Sequence, residues 1–124
     1  MPVLIDVAVV LVVLYFLGTG LMFLVRPDAV ALYDLRPMGA AGRTEVRCYY
    51  GALALGLGAF VGYLGLRDLG REAIVGVLFI AGAILVVRVI GATVDGGWGE
   101  RYNRTAVPVE VGFVVALSGV LALG

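Results

Sequence analysis

Histidine and lysine are absent from the 124 residues, and cysteine occurs once, at Cys48. Each absence removes chemistry. Without histidine, a single chain holds no histidine-ligated haem, no histidine-rich di-metal site and no Ser-His-Asp triad. Without lysine it forms no Schiff base. With one cysteine it has no internal disulfide relay, and Cys48, between Arg47 and Tyr49, reads as a small packing residue. No cofactor motif and no set of metal ligands stands in their place. Neither a cofactor nor a metal is expected, and nothing makes a case for an enzyme. Charge is scarce as well. Nine basic residues, all arginine, balance nine acidic ones, so no basic face is offered to nucleic acid. The exclusive use of arginine has two readings. One is the codon bias of a G+C-rich genome, which abundant Ala, Gly and Val also fit. The other is selection for bidentate recognition of anions, which arginine performs and lysine does not.

What the chain does have is apolar length. Hydrophobic residues make up 62% of it and charged ones 15%, against about half and a quarter in a soluble domain. This is the composition of an integral membrane protein. Apolar runs long enough to span a bilayer cover about Val3 to Val25, Arg47 to Leu66, Glu72 to Val94 and Thr105 to Leu123. The first lacks the basic flank of a signal peptide and exceeds its usual apolar length, so it reads as a retained span. Arg26-Pro27-Asp28 closes it, because proline removes a helix donor and its predecessor leaves the helical region. The stretch from Pro27 to Val46 is the longest connection. Its Ala29-Val-Ala-Leu-Tyr33 run predicts a short interfacial helix, and Gly39-Ala-Ala-Gly42 predicts a break. Arg67 to Arg71 predicts a tight turn, and Asp95 to Gly99 a flexible loop with Trp98 and Tyr102 as interfacial anchors. Pro108 is expected in the first turn of the last span, where proline is tolerated.

The expected fold is all-α, a single transmembrane domain over residues 1–124 built as an antiparallel, up-down-up-down four-helix bundle. Continuous apolar runs without alternation argue against a barrel. Arg26, Arg36, Arg43, Arg101 and Arg104 lie in the first and third connections, against Arg67 and Arg71 in the second. The excess of arginine places the first and third connections in the cytoplasm, both termini outside, and the chain in the inner membrane.

The few charges within or beside the spans are the candidate site. Arg88 lies seven residues before Asp95, and Glu110 six after Arg104. At 1.5 Å per residue both come within roughly 10 Å of the same interface. The second span begins at that level and adds Glu45, Arg47 and Tyr50. Arg88, Gly91 and Asp95 share a helix face. Arg47, Gly51, Gly58, Gly62 and Gly65 fall on one stripe, and small residues let helices approach closely in lipid. Asp6, near the outer end of the first span, reads as a cap or a surface pair. Three readings of the cluster stand open. Arg88 and Glu110 form an interhelical ion pair that fixes register; or the arginines hold an anionic or carbonyl group while apolar walls hold a tail; or Glu110 carries protons.

Arg26-Pro-Asp28, Glu45-Val-Arg47-Cys-Tyr-Tyr50-Gly51, Arg88-Val-Ile-Gly-Ala-Thr-Val-Asp95-Gly96 and Pro108-Val-Glu110-Val-Gly112 resemble the small bacterial four-span proteins grouped as domain of unknown function 4345. That group is distantly similar to the DoxX-like membrane proteins. The resemblance covers nearly the whole chain and implies a four-helix bundle, with no activity, substrate or catalytic residue attached. Small multidrug-resistance pumps fit less well, since Asp6 lies too near the end of its span to match their mid-span glutamate. Fluoride channels carry a different glycine-arginine-tyrosine signature.

The functional expectation is that Glu45, Arg47, Tyr50, Arg88, Asp95 and Glu110 bind the polar head of a membrane lipid or an amphipathic small molecule. Arg47 and Arg88 would be the anion contacts, Tyr50 a donor, and Glu110 the residue that orients Arg88. The alternatives are a structural subunit that forms a homo-oligomer through Gly51, Gly58, Gly62 and Gly65, and a minimal proton-coupled transporter.

Overall fold

The first apolar run is helical from Pro2 to Val25, α1, and ends where Pro27 withdraws the next backbone donor. The computed structural model describes the backbone of residues 2–33 and 35–124 and the side chains of 3–33 and 35–124. After α1 come a 3-10 segment, Pro27–Tyr33, and helix α2, Gly39–Val46. A wide π-helical turn, Arg47–Ala52, leads without interruption into α3, Leu53–Leu66. Helix α4 covers Gly70–Val94, a 3-10 turn Gly97–Gly99, and α5 Arg101–Leu123. Four helical stretches, Val3–Val25, Gly39–Leu66, Gly70–Val94 and Arg101–Leu123, are long and apolar enough to cross a membrane. The fold is all-α and of membrane type, with no strand among the described residues.

Most large apolar side chains point outward. Val10, Leu11, Leu14, Phe60, Phe79, Val87 and Val115 are all exposed. In a protein dissolved in water so much continuous apolar surface would associate; against acyl chains it is the solvated face.

The chain divides into two compact units, residues 1–8 with 71–124, and residues 9–70. In the second, α1 and α3 run antiparallel along the glycines of α3. A Cβ on Gly65 would meet Val9, one on Gly62 would touch Val13, and one on Gly58 would press on Leu17 and Phe16. At Gly20 and Gly51 the backbones themselves meet: a Cβ on Gly20 would lie 2.8 Å from the Gly51 carbonyl oxygen. The stripe expected to offer an oligomer contact therefore lies against α1 of the same chain. A small core of Phe23, Val30 and Val46, flanked by Met22, Ala29 and Tyr33, ties the 3-10 segment to α1 and α2. In the first unit, α4 and α5 are also antiparallel. The guanidinium of Arg71, in the first turn of α4, donates to the Leu121 carbonyl near the end of α5 at 2.9 Å.

The turn after α3 is as tight as expected. Leu69 N–H bonds to Leu64 O and Asp68 N–H to Gly65 O, the paired bonds of a Schellman motif. Asp68 holds the left-handed position, φ 59°, that glycine usually fills. Gly96, φ 68°, follows α4 in the same conformation.

Two expectations need correction. Gly39-Ala-Ala-Gly42 is not a break but the start of α2. Met38 is extended and Gly39 is left-handed, so the irregular backbone comes just before the two alanines, which are the strongest helix formers. Pro108 is not in the first turn of α5, because the helix starts at Arg101. Asn103 donates to Gly97 O at 3.0 Å, and Arg104 N–H bonds to Glu100 O, which organises an early start. Pro108 thus stands inside the helix and leaves the Arg104 carbonyl without its usual donor, a recognised cause of bending.

Candidate membrane-embedded binding site

Arg88 sits in the penultimate turn of α4, and Glu110 lies two residues beyond Pro108 on α5. Arg88 Nε donates to Glu110 Oε1 at 2.6 Å, a charge-assisted bond that joins the two helices. Arg88 keeps 24% of its side-chain surface and Glu110 22%, so water or a head group screens the pair only partly. The ring of Tyr102 covers one face of the guanidinium, 5.2 Å from Cζ to its centroid, within reach for a cation–π contact. With Nε committed and one face covered, the Nη1–Nη2 edge is left. Neither nitrogen has a protein partner among the described residues. On the carboxylate, Oε2 is buried and also lacks a hydrogen-bond partner among the described residues.

Arg88 also lines an open recess of about 400 Å³, together with Ala83, Ile84 and Val87. The spacing i, i+1, i+4, i+5 sets the four on one side of α4. The three aliphatic residues form a track one turn long, and Arg88 completes the lining at its C-terminal end. The lining is apolar apart from Arg88.

Asp95 makes no ion pair among the described residues. It lies beyond the end of α4, exposed, with its N–H bonded to Gly91 O. Sharing a face with Arg88 did not suffice, because the helix ends before Asp95.

The other sequence-selected residues belong to residues 9–70. Arg47 Nε donates to the Leu24 carbonyl at 3.1 Å and so caps α1, which has run out of its own donors at Pro27. Its exposed guanidinium, like that of Arg88, is anchored through Nε. Tyr50 joins Phe23 and Tyr33 in an aromatic cluster, with centroids 5.4 Å and 6.1 Å away. Glu45 is exposed and unpaired among the described residues. Two positions from Arg47, it cannot share a helix face with it. The ion pair formed in this unit, Arg43 with Asp28 at 2.6 Å, went unforeseen. Asp6 is exposed and makes no ion pair among the described residues. The signal for Tyr102 was present, since it lies eight residues before Glu110 and thus on the same side of α5, but it was assigned to interfacial anchoring alone.

A family model matches residues 4–121, nearly the full chain, and its description is domain of unknown function, DUF4345. The chain belongs to this family. The match spans all four apolar helices and the Arg88–Glu110 pair, so the family's domain and this membrane fold are coextensive. No curated protein and no solved structure matches the chain.

Proposed function

We propose that this DUF4345 protein binds the polar head of a lipid or amphipathic small molecule at Arg88, with the tail along the Ala83–Ile84–Val87 track. The observation that carries the reading is that Arg88, whose Nη1 and Nη2 make no hydrogen bond to protein among the described residues, lines an aliphatic recess. An arginine in an apolar helix is costly, about 2.5–3.5 kcal/mol on insertion scales. Glu110 offsets part of that cost through Nε only. A head group with acceptor oxygens would complete the rest. Glu110 holds the guanidinium in one orientation, and Tyr102 restricts the approach to the edge. The working location is the inner membrane, with the arginine-rich first and third connections in the cytoplasm.

Native mass spectrometry of the purified protein after delipidation tests the reading. Wild type should retain an amphiphile that Arg88→Leu/Glu110→Leu releases. Identical retained species in the two proteins would remove the basis for binding at this site.

A purely structural role is the second reading, favoured by the 2.6 Å length of the ion pair and its partial burial. In that reading the pair fixes the register of α4 on α5. A homo-oligomer through Gly51, Gly58, Gly62 and Gly65 would then form by exchange of α1 between copies, since α1 covers those glycines.

A further inference from the structure

Charge balance at Arg88 narrows the ligand class. From it we infer that the site takes a neutral, single-chain amphiphile whose head is a carbonyl-type acceptor, such as an ester, ketone or quinone, rather than an anion. The inference rests on the binding reading above and adds the chemistry of the head.

The guanidinium and the carboxylate already cancel, one charge against one, at 2.6 Å. An anion placed on the Nη edge would leave the site with a net negative charge. In a low-dielectric setting an uncompensated charge is expensive. The anion would also stand near the carboxylate that holds Arg88, and like charges in one site oppose each other. A carbonyl oxygen satisfies the same N–H donors and adds no charge. The lining residues bring no side-chain acceptor for a hydroxyl or ammonium head, and Glu110 Oε2, the unfilled acceptor of the pair, is buried. The other walls of the recess are Ala83, Ile84 and Val87, which bring only hydrocarbon. The track is also only one turn of one helix, which suits a single chain.

The test uses the full chain in nanodiscs of neutral lipid and two permanently defined probes, methyl dodecanoate and dodecanesulfonate. They share a twelve-carbon chain and differ in head charge. Retention is read by native mass spectrometry for wild type, Arg88→Gln/Glu110→Gln and Ala83→Phe. The double variant keeps polar side chains but no charge. Ala83→Phe fills the recess from an exposed position and leaves Arg88 in place. The expected result is that wild type holds the ester about tenfold better than the sulfonate, and that both variants lose the ester by a similar factor. If the sulfonate binds tighter and the double variant releases it, the neutral-head inference is overturned while binding at Arg88 stands. If neither variant changes the retention of either probe, both fall.

Discussion

Removing one partner of the Arg88–Glu110 pair differs from removing both. Arg88→Leu leaves a partly buried carboxylate without its cation and should cost about 3 kcal/mol of stability. The double Arg88→Leu/Glu110→Leu should stay within about 1 kcal/mol of wild type, because a leucine pair suits the aliphatic surroundings. Thermal unfolding in mild detergent, followed through Trp98 fluorescence, distinguishes the two. A double variant as unstable as the single one would mean that the pair contributes more than cancellation of charge. At Asp68 the sign reverses. Its left-handed backbone suits glycine, so Asp68→Gly should raise stability by about 1 kcal/mol in the same assay. The Arg88–Glu110 contact was legible in the sequence, since depth along two antiparallel spans is simple arithmetic. The acceptor of Arg47 was not. It is a backbone carbonyl, Leu24 O, exposed to capture by a proline three residues later, and carbonyls leave no letter in a sequence. Glu45 was chosen by depth alone, which says nothing of helical phase, and Asp95 by depth and phase, which say nothing of where a helix ends.

Between elements, the α1–α3 seam is set by glycine. The closest approach is at Gly20, where a Cβ would meet the Gly51 carbonyl and Leu55 Cγ at 2.8 Å and the Leu55 nitrogen at 2.9 Å, so backbone would have to shift. Gly20→Ala should therefore destabilise by about 1–3 kcal/mol. Gly56 faces open space, and Gly56→Ala should be neutral or stabilise by up to about 1 kcal/mol. Equal effects at the two positions would show that the seam is looser than its geometry. Val13→Cys/Gly62→Cys on a Cys48→Ser background probes the same seam, since Val13 Cγ2 lies 3.7 Å from the site of a Cβ on residue 62. Oxidation should yield an intramolecular disulfide; a covalent dimer would instead reveal exchange of α1. The stripe could be read from helical periodicity. The π turn could not, because its ordinary residues carry no compositional mark. The early starts of α2 and α5 were hidden for a related reason. Glycines and polar residues near an apolar run resemble loop, yet Gly39 and the Asn103–Gly97 bond are what begin those helices.

For the molecule as a whole, four apolar stretches and their connections were plain from composition, since a bilayer imposes length and hydropathy directly. The proposed orientation puts the first and third connections in the cytoplasm. On the Cys48→Ser background, a membrane-impermeant maleimide should label Glu100→Cys only from the cytoplasmic side and Asp68→Cys only from the outside; the reverse pattern would invert the topology. The wide turn at Arg47–Ala52 has a consequence at this scale. Leu53 N–H reaches back to the Cys48 carbonyl, five residues behind, so the turn stores one residue more than an ordinary helix requires. The chain carries slack there. Excision of a single residue, Cys48, should let the turn tighten into regular α-helix while everything downstream keeps its facing. The same excision at Ile84 would rotate the rest of α4 by about 100° and swing Arg88 away from its partner.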